Sequence, residues 1–291
     1  MIKFNKMYNI AGVKLQLLCD KDIKYDMRYQ LFCDNSCKKA DAVISFKAVD
    51  ELIELPDRKL VKSAETNYNE YIYDGEYIRF FIENTNNTEY AYLYRKDIDL
   101  WECCYLNKYE NLLNDTCVLF DMISLERIFI DRGIFMLHSS LVNYKGQGIV
   151  FSGPSGIGKS TQASLWQKYA GATVINGDKV LIRNENGKWY GYGSPFSGSS
   201  WIYKKERVEI NNLIFLEQDN ERCSASRIKG VMAFKKIYEQ VVVNAWNREY
   251  VNKLFDILNS FISEIDVYHY KTTKNRESVE YLKDNITLYE G

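Results

Sequence analysis

The amino-acid sequence predicts an α+β protein with two domains, a mostly β N-terminal domain over residues 1–117 and a mixed domain over residues 118–291. Three observations support this fold class. The chain has 291 residues, which exceeds the usual size of a single domain. Its first part consists of short segments in which apolar and polar residues alternate, separated by turn residues. Its second part alternates strand-like segments with longer segments whose apolar residues recur at helical spacing.

The N-terminal part is rich in tyrosine, and its alternating segments predict mostly antiparallel strands. The pair Asp74-Gly75 separates two such segments and has the chemistry of a two-residue hairpin turn, which needs positive φ angles. Tyr90, Tyr92 and Tyr94 recur at every second residue, so a strand would place their rings on one face. Such a stripe could stack on a ligand, but packing of a sheet face on a core is the favoured interpretation.

The second domain is predicted to open with a helix over residues 115–132, which Gly133 is placed to end. Strands are predicted at 134–137, 141–143 and 148–152, and a glycine-rich loop follows the last of them. The remaining predicted elements are a helix at 159–169, a strand at 172–175, a hairpin of 180–183 and 189–192 turned by Asn186-Gly187, a strand at 213–217, helices at 231–241 and 250–261, a strand at 265–270 and a helix at 277–285.

Charge and hydropathy exclude two classes of partner. The 38 Lys and Arg residues are offset by 39 Asp and Glu residues, so the chain lacks the basic excess of a general nucleic-acid binder. The N-terminus has no apolar run of signal-peptide length, and no segment approaches the roughly 18 apolar residues that span a bilayer. We therefore expect a cytoplasmic protein that binds neither nucleic acid nor a membrane.

The seven cysteines have no regular spacing, which favours reduced thiols over a disulfide framework. The alternative is a zinc site built on Cys33-x-x-x-Cys37, with the adjacent Cys103 and Cys104 completing it. Such a site needs four ligands with recognisable spacing, and the chain has only two histidines to assist. Ordinary buried or surface thiols are the favoured interpretation.

The glycine-rich loop carries the clearest chemical signal, because it fits the phosphate-loop pattern G-x-x-x-x-G-K-[ST] between a predicted strand and a predicted helix. Glycines let consecutive backbone N–H groups face an anion, and the helix points its positive dipole end at the same place. Lys159 would reach the β- and γ-phosphates of ATP or another nucleoside triphosphate, and the Ser160 hydroxyl would ligate Mg²⁺. The predicted nucleotide-binding residues are Gly153, Pro154, Ser155, Gly156, Ile157, Gly158, Lys159, Ser160 and Thr161.

A phosphate loop alone does not separate kinases from ATPases, GTPases or nucleotide sensors, so the acidic residues near it matter. Asp178 follows the predicted strand 172–175 in the turn Asn176-Gly177-Asp178-Lys179. A carboxylate at the carboxyl end of a strand suits magnesium binding or acceptance of a hydroxyl proton. A solvated turn aspartate is the alternative.

At these residues the sequence resembles the catalytic domain of the HPr kinase/phosphorylase family, a phosphoenolpyruvate-carboxykinase-like class of P-loop proteins. The segments that carry the resemblance are LHSSLV at 137–142, the loop region at 146–160 and GDKV at 177–180. The resemblance covers about residues 135–181 well, extends more loosely to the C-terminus and does not include the N-terminal region. It implies that residues 118–291 form an HPr kinase-like P-loop domain with a mixed sheet and flanking helices.

The resemblance also implies roles for single residues. It places His138 beside the γ-phosphate, gives Lys159 and Ser160 the roles described above, and matches Asp178 to the second member of an acidic pair. Gly177 stands where the first acid of that pair is expected, which leaves the general base open. The chain also lacks a counterpart of the glutamate-bearing segment that follows in the family and of the family's C-terminal phosphorolysis signature, which indicates a divergent branch.

A second loop, residues 192–201, is rich in glycine and serine and contains Pro195. A rigid turn with backbone donors and serine hydroxyls suits contact with a substrate or a phosphate. A plain surface loop is an equal alternative, and solvation is the favoured role of the basic residues that follow, Lys204, Lys205 and Arg207. The second histidine of the chain, His269, is expected to be structural.

Together these residues predict an ATP-dependent kinase that transfers the γ-phosphoryl group to a hydroxyl. The resemblance to a divergent branch of HPr kinase-like proteins, some of which serve peptide-modification pathways, implies that the acceptor is a serine of a peptide or protein. His138, Lys159 and Asp178 are the predicted catalytic residues, and Ser160 and Asp178 the predicted Mg²⁺ ligands. Two alternatives stay open, a small-molecule kinase and a nucleotide-binding regulatory protein in which Gly177 reflects lost catalysis. Homo-oligomerisation is also left open.

Overall fold

The computed structural model describes residues 1–36, 38–63, 67–83, 85–219 and 221–288. The chain divides into two compact units, Met1–Ile128 and Phe129–Gly291. The secondary-structure elements of the first part are β1 (Phe4–Ile10), β2 (Val13–Cys19), α1 (Met27–Gln30), β3 (Ala42–Val49), β4 (Lys59–Lys62), β5 (Tyr68–Tyr73), β6 (Glu76–Glu83), β7 (Thr88–Asp97), β8 (Leu100–Leu106), a 3₁₀ helix (Asn107–Leu112), α2 (Thr116–Asp121) and α3 (Leu125–Ile130).

The first unit is built on a mixed sheet in the strand order β1-β2-β3-β8-β7-β6-β5-β4. Within the described residues β3 pairs in parallel with β2 and β8, and the remaining pairings are antiparallel. The parallel β2–β3 pair has a long connection that contains α1, as a parallel crossover requires. The prediction of mostly antiparallel strands is therefore confirmed for this unit.

Turn chemistry and the tyrosine stripe have the predicted local structures. The turn between β5 and β6 consists of Asp74 at φ 50° and Gly75 at φ 81°, the positive angles of a two-residue hairpin. On β7, Tyr90 is buried, and the Tyr92 ring centroid lies 5.9 Å from that of Tyr94 and 5.6 Å from that of Phe80 on β6. The stripe thus packs on neighbouring rings of the sheet.

The predicted helix over residues 115–132 is wrong in one respect, because the structure contains two short helices, α2 and α3. The Asp115 side chain caps α2 by accepting a hydrogen bond from the Val118 N–H. Met122 and Ile123, which lie between the helices, are both buried. The helical spacing of the apolar residues reveals one apolar stripe, which is what a single helix would bury. Residues outside that stripe are buried here as well, and a turn between two short helices allows this.

The second unit contains the glycine-rich loop and the larger set of helices. Its elements are β9 (Ile134–Tyr144), β10 (Gln147–Ser152), α4 (Lys159–Ala170), β11 (Thr173–Asn176), β12 (Lys179–Glu185), β13 (Lys188–Tyr192), a 3₁₀ turn (Gly198–Ser200), β14 (Arg207–Gln218), β15 (Ser224–Arg227), α5 (Gly230–Tyr238), α6 (Arg248–Glu264), β16 (Asp266–Thr272) and α7 (Arg276–Asn285).

The second sheet is also mixed, and part of it closes on itself. Its order is β10-β9-β12-β13-β14-β16-β15, with β11 paired to β9 and β10 paired to β14. Strands β9, β12, β13, β14 and β10 therefore form a ring of pairings. Because β10, β14 and β16 run parallel, their carboxyl ends meet at one edge of the sheet. The loop that follows β10 leaves from this edge.

Two strand predictions in this unit need correction. The predicted strands at 134–137 and 141–143 are a single strand, β9. The polar residues between them stay in the strand because Ser139 and Ser140 are buried and hydrogen-bonded, with the Ser140 hydroxyl donating to the Gly177 carbonyl at 3.1 Å. Strand β15 was not predicted, since its sequence SASR has no apolar alternation.

Apolar cores lie on both sides of this sheet. Consecutive residues of β10 alternate between them, with Val150 in one core and Ile149 and Phe151 in the other. Helices α5 and α6 pack into the core that contains Val150. Helices α4 and α7 pack into the second core, where Trp166 is fully buried. The predicted mixed sheet with flanking helices is confirmed.

Two sequence-level questions concern metal sites and membranes. Cys37, one half of the candidate zinc pair, lies outside the described residues, and Cys103 and Cys104 are buried in β8. Among the described residues, no group of three or more His, Cys, Asp or Glu side chains has an arrangement that would hold a metal ion. Within those same residues, no helix has the length and apolar character needed to cross a membrane.

Candidate functional site

A pocket of about 250 Å³ lies at the edge of the second sheet where β10 ends. It brings together all three predicted catalytic residues, which come from β9, the start of α4 and the turn after β11. The residues that line it are His138, Ser155, Gly156, Gly158, Lys159, Ser160, Thr161, Gly177, Asp178, Ser199 and Ser200.

The phosphate-loop glycines adopt the backbone angles that the motif predicts. Gly153, Gly156 and Gly158 have φ angles of 142°, 77° and 112°, which L side chains rarely adopt. A β-carbon at Gly156 or Gly158 would meet no atom within 4 Å, so conformation and not crowding selects glycine there. Strand β14 supports the loop, because the Gln218 side-chain amide donates hydrogen bonds to the Gly156 and Ile157 carbonyls at 3.2 and 3.0 Å.

Lys159 is the first residue of α4 and is 7% exposed. Its Nζ donates hydrogen bonds to the carbonyls of Gly153 and Pro154 at 2.9 and 3.1 Å, so the ammonium lies across the loop. Burial lowers the pKa of Lys159, and the Asp178 carboxylate opposes that shift. An ammonium group at a glycine-rich loop that leads into a helix is an arrangement that binds phosphate oxygens.

Asp178 and His138, which both line the pocket, form a hydrogen-bonded pair. The Nδ1 atom of His138 lies 3.2 Å from Oδ1 of Asp178. The hydrogen bond from His138 lowers the pKa of Asp178, burial opposes the shift, and the positive charges of Lys179 and Lys159 add to it. Asp178 is therefore ionised at neutral pH, which suits a metal ligand or an acceptor of a hydroxyl hydrogen bond.

Ser160 faces the same turn as Asp178. Its hydroxyl donates to the Gly177 carbonyl at 3.3 Å. Ser140 on β9 donates to the same carbonyl, which fixes the backbone just before Asp178. The Ser160 hydroxyl and the Asp178 carboxylate thus line one pocket as two oxygen ligands of the kind that Mg²⁺ prefers.

Asn176 is a residue that sequence reasoning missed. It is fully buried, and its side-chain carbonyl accepts hydrogen bonds from the backbone N–H groups of Asp178 and Lys179 at 2.9 and 3.0 Å. Its amide donates to the Ser194 and Phe196 carbonyls at 3.1 and 3.4 Å. One side chain therefore holds both the Asp178 turn and the second glycine- and serine-rich loop. An asparagine at the end of a buried strand, just before Gly-Asp, is the signal that could have identified it.

The second loop packs tightly on the Asp178 turn, and two glycines permit this. A β-carbon at Gly177 would lie 2.0 Å from the Ser200 hydroxyl oxygen. A β-carbon at Gly198 would lie 2.8 Å from Cγ of Asp178. In this structure, Gly177 is thus required by the close approach of Ser200, because any side chain at that position would displace the loop.

Some residues singled out in the sequence do not line the pocket. Gly153 and Pro154 contribute carbonyls that accept from Lys159, and Ile157 packs behind the loop. His269 lies elsewhere, with its Nε2 atom 2.8 Å from an oxygen of Glu217. The basic residues after the second loop, all of them described, are also absent from the pocket lining, namely Lys204, Lys205 and Arg207.

The residues present fit a triphosphate with Mg²⁺. The loop offers open backbone at two positive-φ glycines, the start of a helix, a buried ammonium and a hydroxyl, which together recognise phosphate groups. One hydroxyl and one carboxylate are few ligands for a protein-held metal, but Mg²⁺ usually binds through one or two carboxylates together with substrate phosphates and water.

Comparison with known proteins finds a relative in sequence and neighbours among the solved structures. No family model matches the chain. The HPr kinase/phosphorylase of Mycoplasmopsis pulmonis (strain UAB CTIP) is 32% identical over 107 residues, which are 34% of this chain and 32% of the relative. The chain therefore matches about a third of the length of this relative. The structure of the Hpr(Ser) kinase/phosphatase from Coxiella burnetii matches 52% of this chain and 94% of its own at 13% identity, with a TM-score of 0.32 that supports no further conclusion. The sequence match confirms the resemblance to HPr kinase/phosphorylase over that part of the chain.

Proposed function

We propose that this protein is an ATP-dependent kinase that transfers the γ-phosphoryl group to a hydroxyl, and that its acceptor is a serine of a peptide or protein. The observation that carries the proposal is the composition of one pocket, which contains the Lys159 ammonium, the Ser160 hydroxyl and the Asp178–His138 pair. Phosphoryl transfer depends mainly on positioning and charge neutralisation, and these groups supply both.

The phosphate loop binds the nucleotide in this proposal. The N–H groups of the loop and the start of α4 face the phosphates, and Lys159 exchanges its two loop carbonyls for phosphate oxygens. Bound Mg²⁺ would neutralise the charge that develops on those oxygens. Ser160, now donating to the Gly177 carbonyl, would turn its oxygen toward the metal, and Asp178 would be the second protein ligand.

The alternative role of Asp178, as the group that accepts the hydroxyl proton, places it with His138 on the acceptor side. Because the hydrogen bond from His138 lowers the pKa of Asp178, this carboxylate is ionised and can orient an acceptor hydroxyl by accepting its hydrogen bond. His138 keeps the carboxylate in place through the 3.2 Å contact. Gly177 does not argue for a regulatory, non-catalytic protein, since its lack of a side chain is explained by the approach of Ser200.

The size of the pocket favours an acceptor presented on a chain. Pockets that enclose small ligands usually have volumes of about 300–1,000 Å³. This pocket has about 250 Å³, which is below that range. An acceptor hydroxyl must then approach from outside, as a serine on a peptide or protein does. The small-molecule alternative requires the acceptor to bind mostly outside this pocket.

The test is to incubate the protein with Mg²⁺, ATP labelled in its γ-phosphoryl group and peptides or extract from its own host, and to locate the label by mass spectrometry. Label on a peptide serine supports the proposal, whereas label on a metabolite contradicts the peptide acceptor. Binding of Mg²⁺-ATP without formation of ADP would contradict the kinase activity itself and favour a regulatory protein.

A further inference from the structure

The second loop contains a serine that nothing in the proposed reaction uses. We call residues 194–200 the serine loop. Of its four serines, Ser194 donates its hydroxyl hydrogen to the Lys179 carbonyl at 2.6 Å, and Ser200 donates to the Ser197 carbonyl at 2.6 Å. Ser197 is fully buried. Ser199 differs, because its side chain is exposed and lines the pocket that contains Lys159 and Asp178. Among the described residues, no hydrogen bond engages its hydroxyl.

The position of Ser199 at this pocket is fixed by its two neighbours in the chain. Gly198, on one side, approaches the Asp178 carboxylate so closely that a β-carbon there would lie 2.8 Å from Cγ. Ser200, on the other side, packs on Gly177. The buried Asn176 amide holds the start of the loop through the Ser194 and Phe196 carbonyls. The loop that carries Ser199 is therefore held at the pocket that Lys159 and Asp178 also line, and positioning of this kind promotes phosphoryl transfer.

We infer that Ser199 is a site of autophosphorylation, at which this chain accepts the phosphoryl group from its own bound ATP. The inference rests on the proposed function. A bond forms between the Ser199 oxygen and the γ-phosphorus while the bond from that phosphorus to the β,γ-bridging oxygen breaks, and ADP leaves. The hydroxyl proton is released to solvent. The phosphoserine introduces new negative charge into the pocket that Asp178 also lines, so it competes with an external acceptor for this pocket.

The experiment is to incubate the purified full chain with Mg²⁺ and ATP without any other acceptor, and to follow its intact mass and peptide map. We expect a mass gain of one phosphoryl group, located on Ser199. Because donor and acceptor belong to one molecule, the rate per molecule should not depend on protein concentration. A modification at another residue, or a rate that rises in proportion to protein concentration, would overturn the inference.

Variants separate loss of the acceptor hydroxyl from damage to the site. Ser199→Ala should remain unmodified, and Ser199→Thr, which restores a hydroxyl, should regain the modification. Ser224→Ala is the matched control, since Ser224 is an exposed serine on β15 that does not line the pocket, and it should be modified like the wild type. If ADP forms without any phosphoserine on the chain, this inference alone fails. If the wild type forms no ADP with any acceptor, the proposed function fails together with it.

Discussion

Two pockets lie at opposite edges of the second sheet, and the larger one is the weaker candidate for a phosphate site. The larger pocket has a volume of about 430 Å³, against about 250 Å³ for the pocket at the phosphate loop. It lies at the amino ends of β10, β14 and β16, where the parallel strands begin. The residues that line it are Gly146, Gln147, Gly187, Lys188, Trp189, Glu209, Ile210, Asn211, Glu264, Ile265 and Asp266.

The lining chemistry of the two pockets is opposite. In the larger pocket Lys188 lies 2.8 Å from Glu209, and the Trp189 Nε1 donates to Glu264 at 3.1 Å, so its only lining cation is already paired among the described residues. Its carboxylates would repel phosphate groups. In the smaller pocket the hydrogen bonds of the Lys159 ammonium to described residues go to the loop carbonyls of Gly153 and Pro154, and helix α4 begins at the pocket. Charge and backbone geometry therefore identify the site, and pocket volume does not.

The largest expected effect comes from removing Asp178, the one carboxylate among the described residues that line the smaller pocket. Asp178→Asn should lower the rate of phosphoryl transfer by about 10²–10⁴-fold, since the amide neither orients an acceptor hydroxyl as a carboxylate does nor accepts its proton. Glu264→Gln, the same change in the larger pocket, should leave the rate unchanged. Both rates are measured as ADP formed in the presence of an acceptor. Equal losses in the two variants would contradict the assignment of the smaller pocket.

The second contrast is between the lysines of the two pockets, which should differ in their effect on the affinity for ATP. Lys159→Ala removes a charged donor to the phosphates, worth about 1.5–3 kcal/mol, and should weaken ATP binding by about 10- to 100-fold. Lys188→Ala should bind ATP like the wild type, because its ammonium lies at the opposite edge of the sheet. Isothermal titration calorimetry measures both. Full ATP affinity in Lys159→Ala would overturn the nucleotide site and the function built on it.

Gly177, which lines the smaller pocket, and Gly148, the chain neighbour of Gln147 in the larger pocket, are both crowded, and variants at the two positions should respond differently to removal of a clashing side chain. Gly177→Ala forces the new methyl group onto the Ser200 side chain and should destabilise the unit by about 1–3 kcal/mol. Adding Ser200→Gly should restore most of that loss, because it removes the clashing atoms. Gly148→Ala meets the Glu209 carbonyl oxygen at 2.8 Å, a backbone atom, so trimming a side chain should not restore it fully. Denaturant unfolding measures the free energy of unfolding of the wild type, of Gly177→Ala with and without Ser200→Gly, and of Gly148→Ala. A Gly177→Ala variant as stable as the wild type would contradict the packing.

The sequence predicted the parts of this molecule that depend on local chemistry. The hairpin turns followed from Asp74-Gly75 and Asn186-Gly187, whose positive φ angles are local requirements. The phosphate loop followed from its glycines in the same way, and Asp178 from its place at the end of a strand. The roles of the loop, His138 and Asp178 in the reaction stay predictions.

Features that depend on residues distant in the sequence were missed or wrong. Strand β9 continues through Ser139 and Ser140 because the buried Ser140 hydroxyl reaches a carbonyl 37 positions further along the chain. Asn176 and the serine loop meet across 18 to 20 positions, so neither residue spacing nor hydropathy indicated that they form one wall of the pocket. Gly177 looked like a lost acid in the sequence, and only the approach of Ser200 gives it a steric reason.

The smallest expected effect concerns pH and the His138–Asp178 pair. The pKa of Asp178 is lowered chiefly by the hydrogen bond from His138, so its ionised form is favoured in the folded protein. The activity and the stability that depend on this ionised form are present above the ordinary aspartate pKa of about 3.9, and they are lost as the pH falls through the lower, folded-state value. His138→Gln removes the imidazole, so the pKa of Asp178 should rise and the acid limb of the pH–rate profile should move to higher pH.

His269→Gln is the matched control, because His269 pairs with Glu217 outside the pocket and should leave that limb in place. An acid limb that does not move in His138→Gln would show that His138 does not lower the pKa of Asp178, and the lowering would then come from the charges of Lys159 and Lys179.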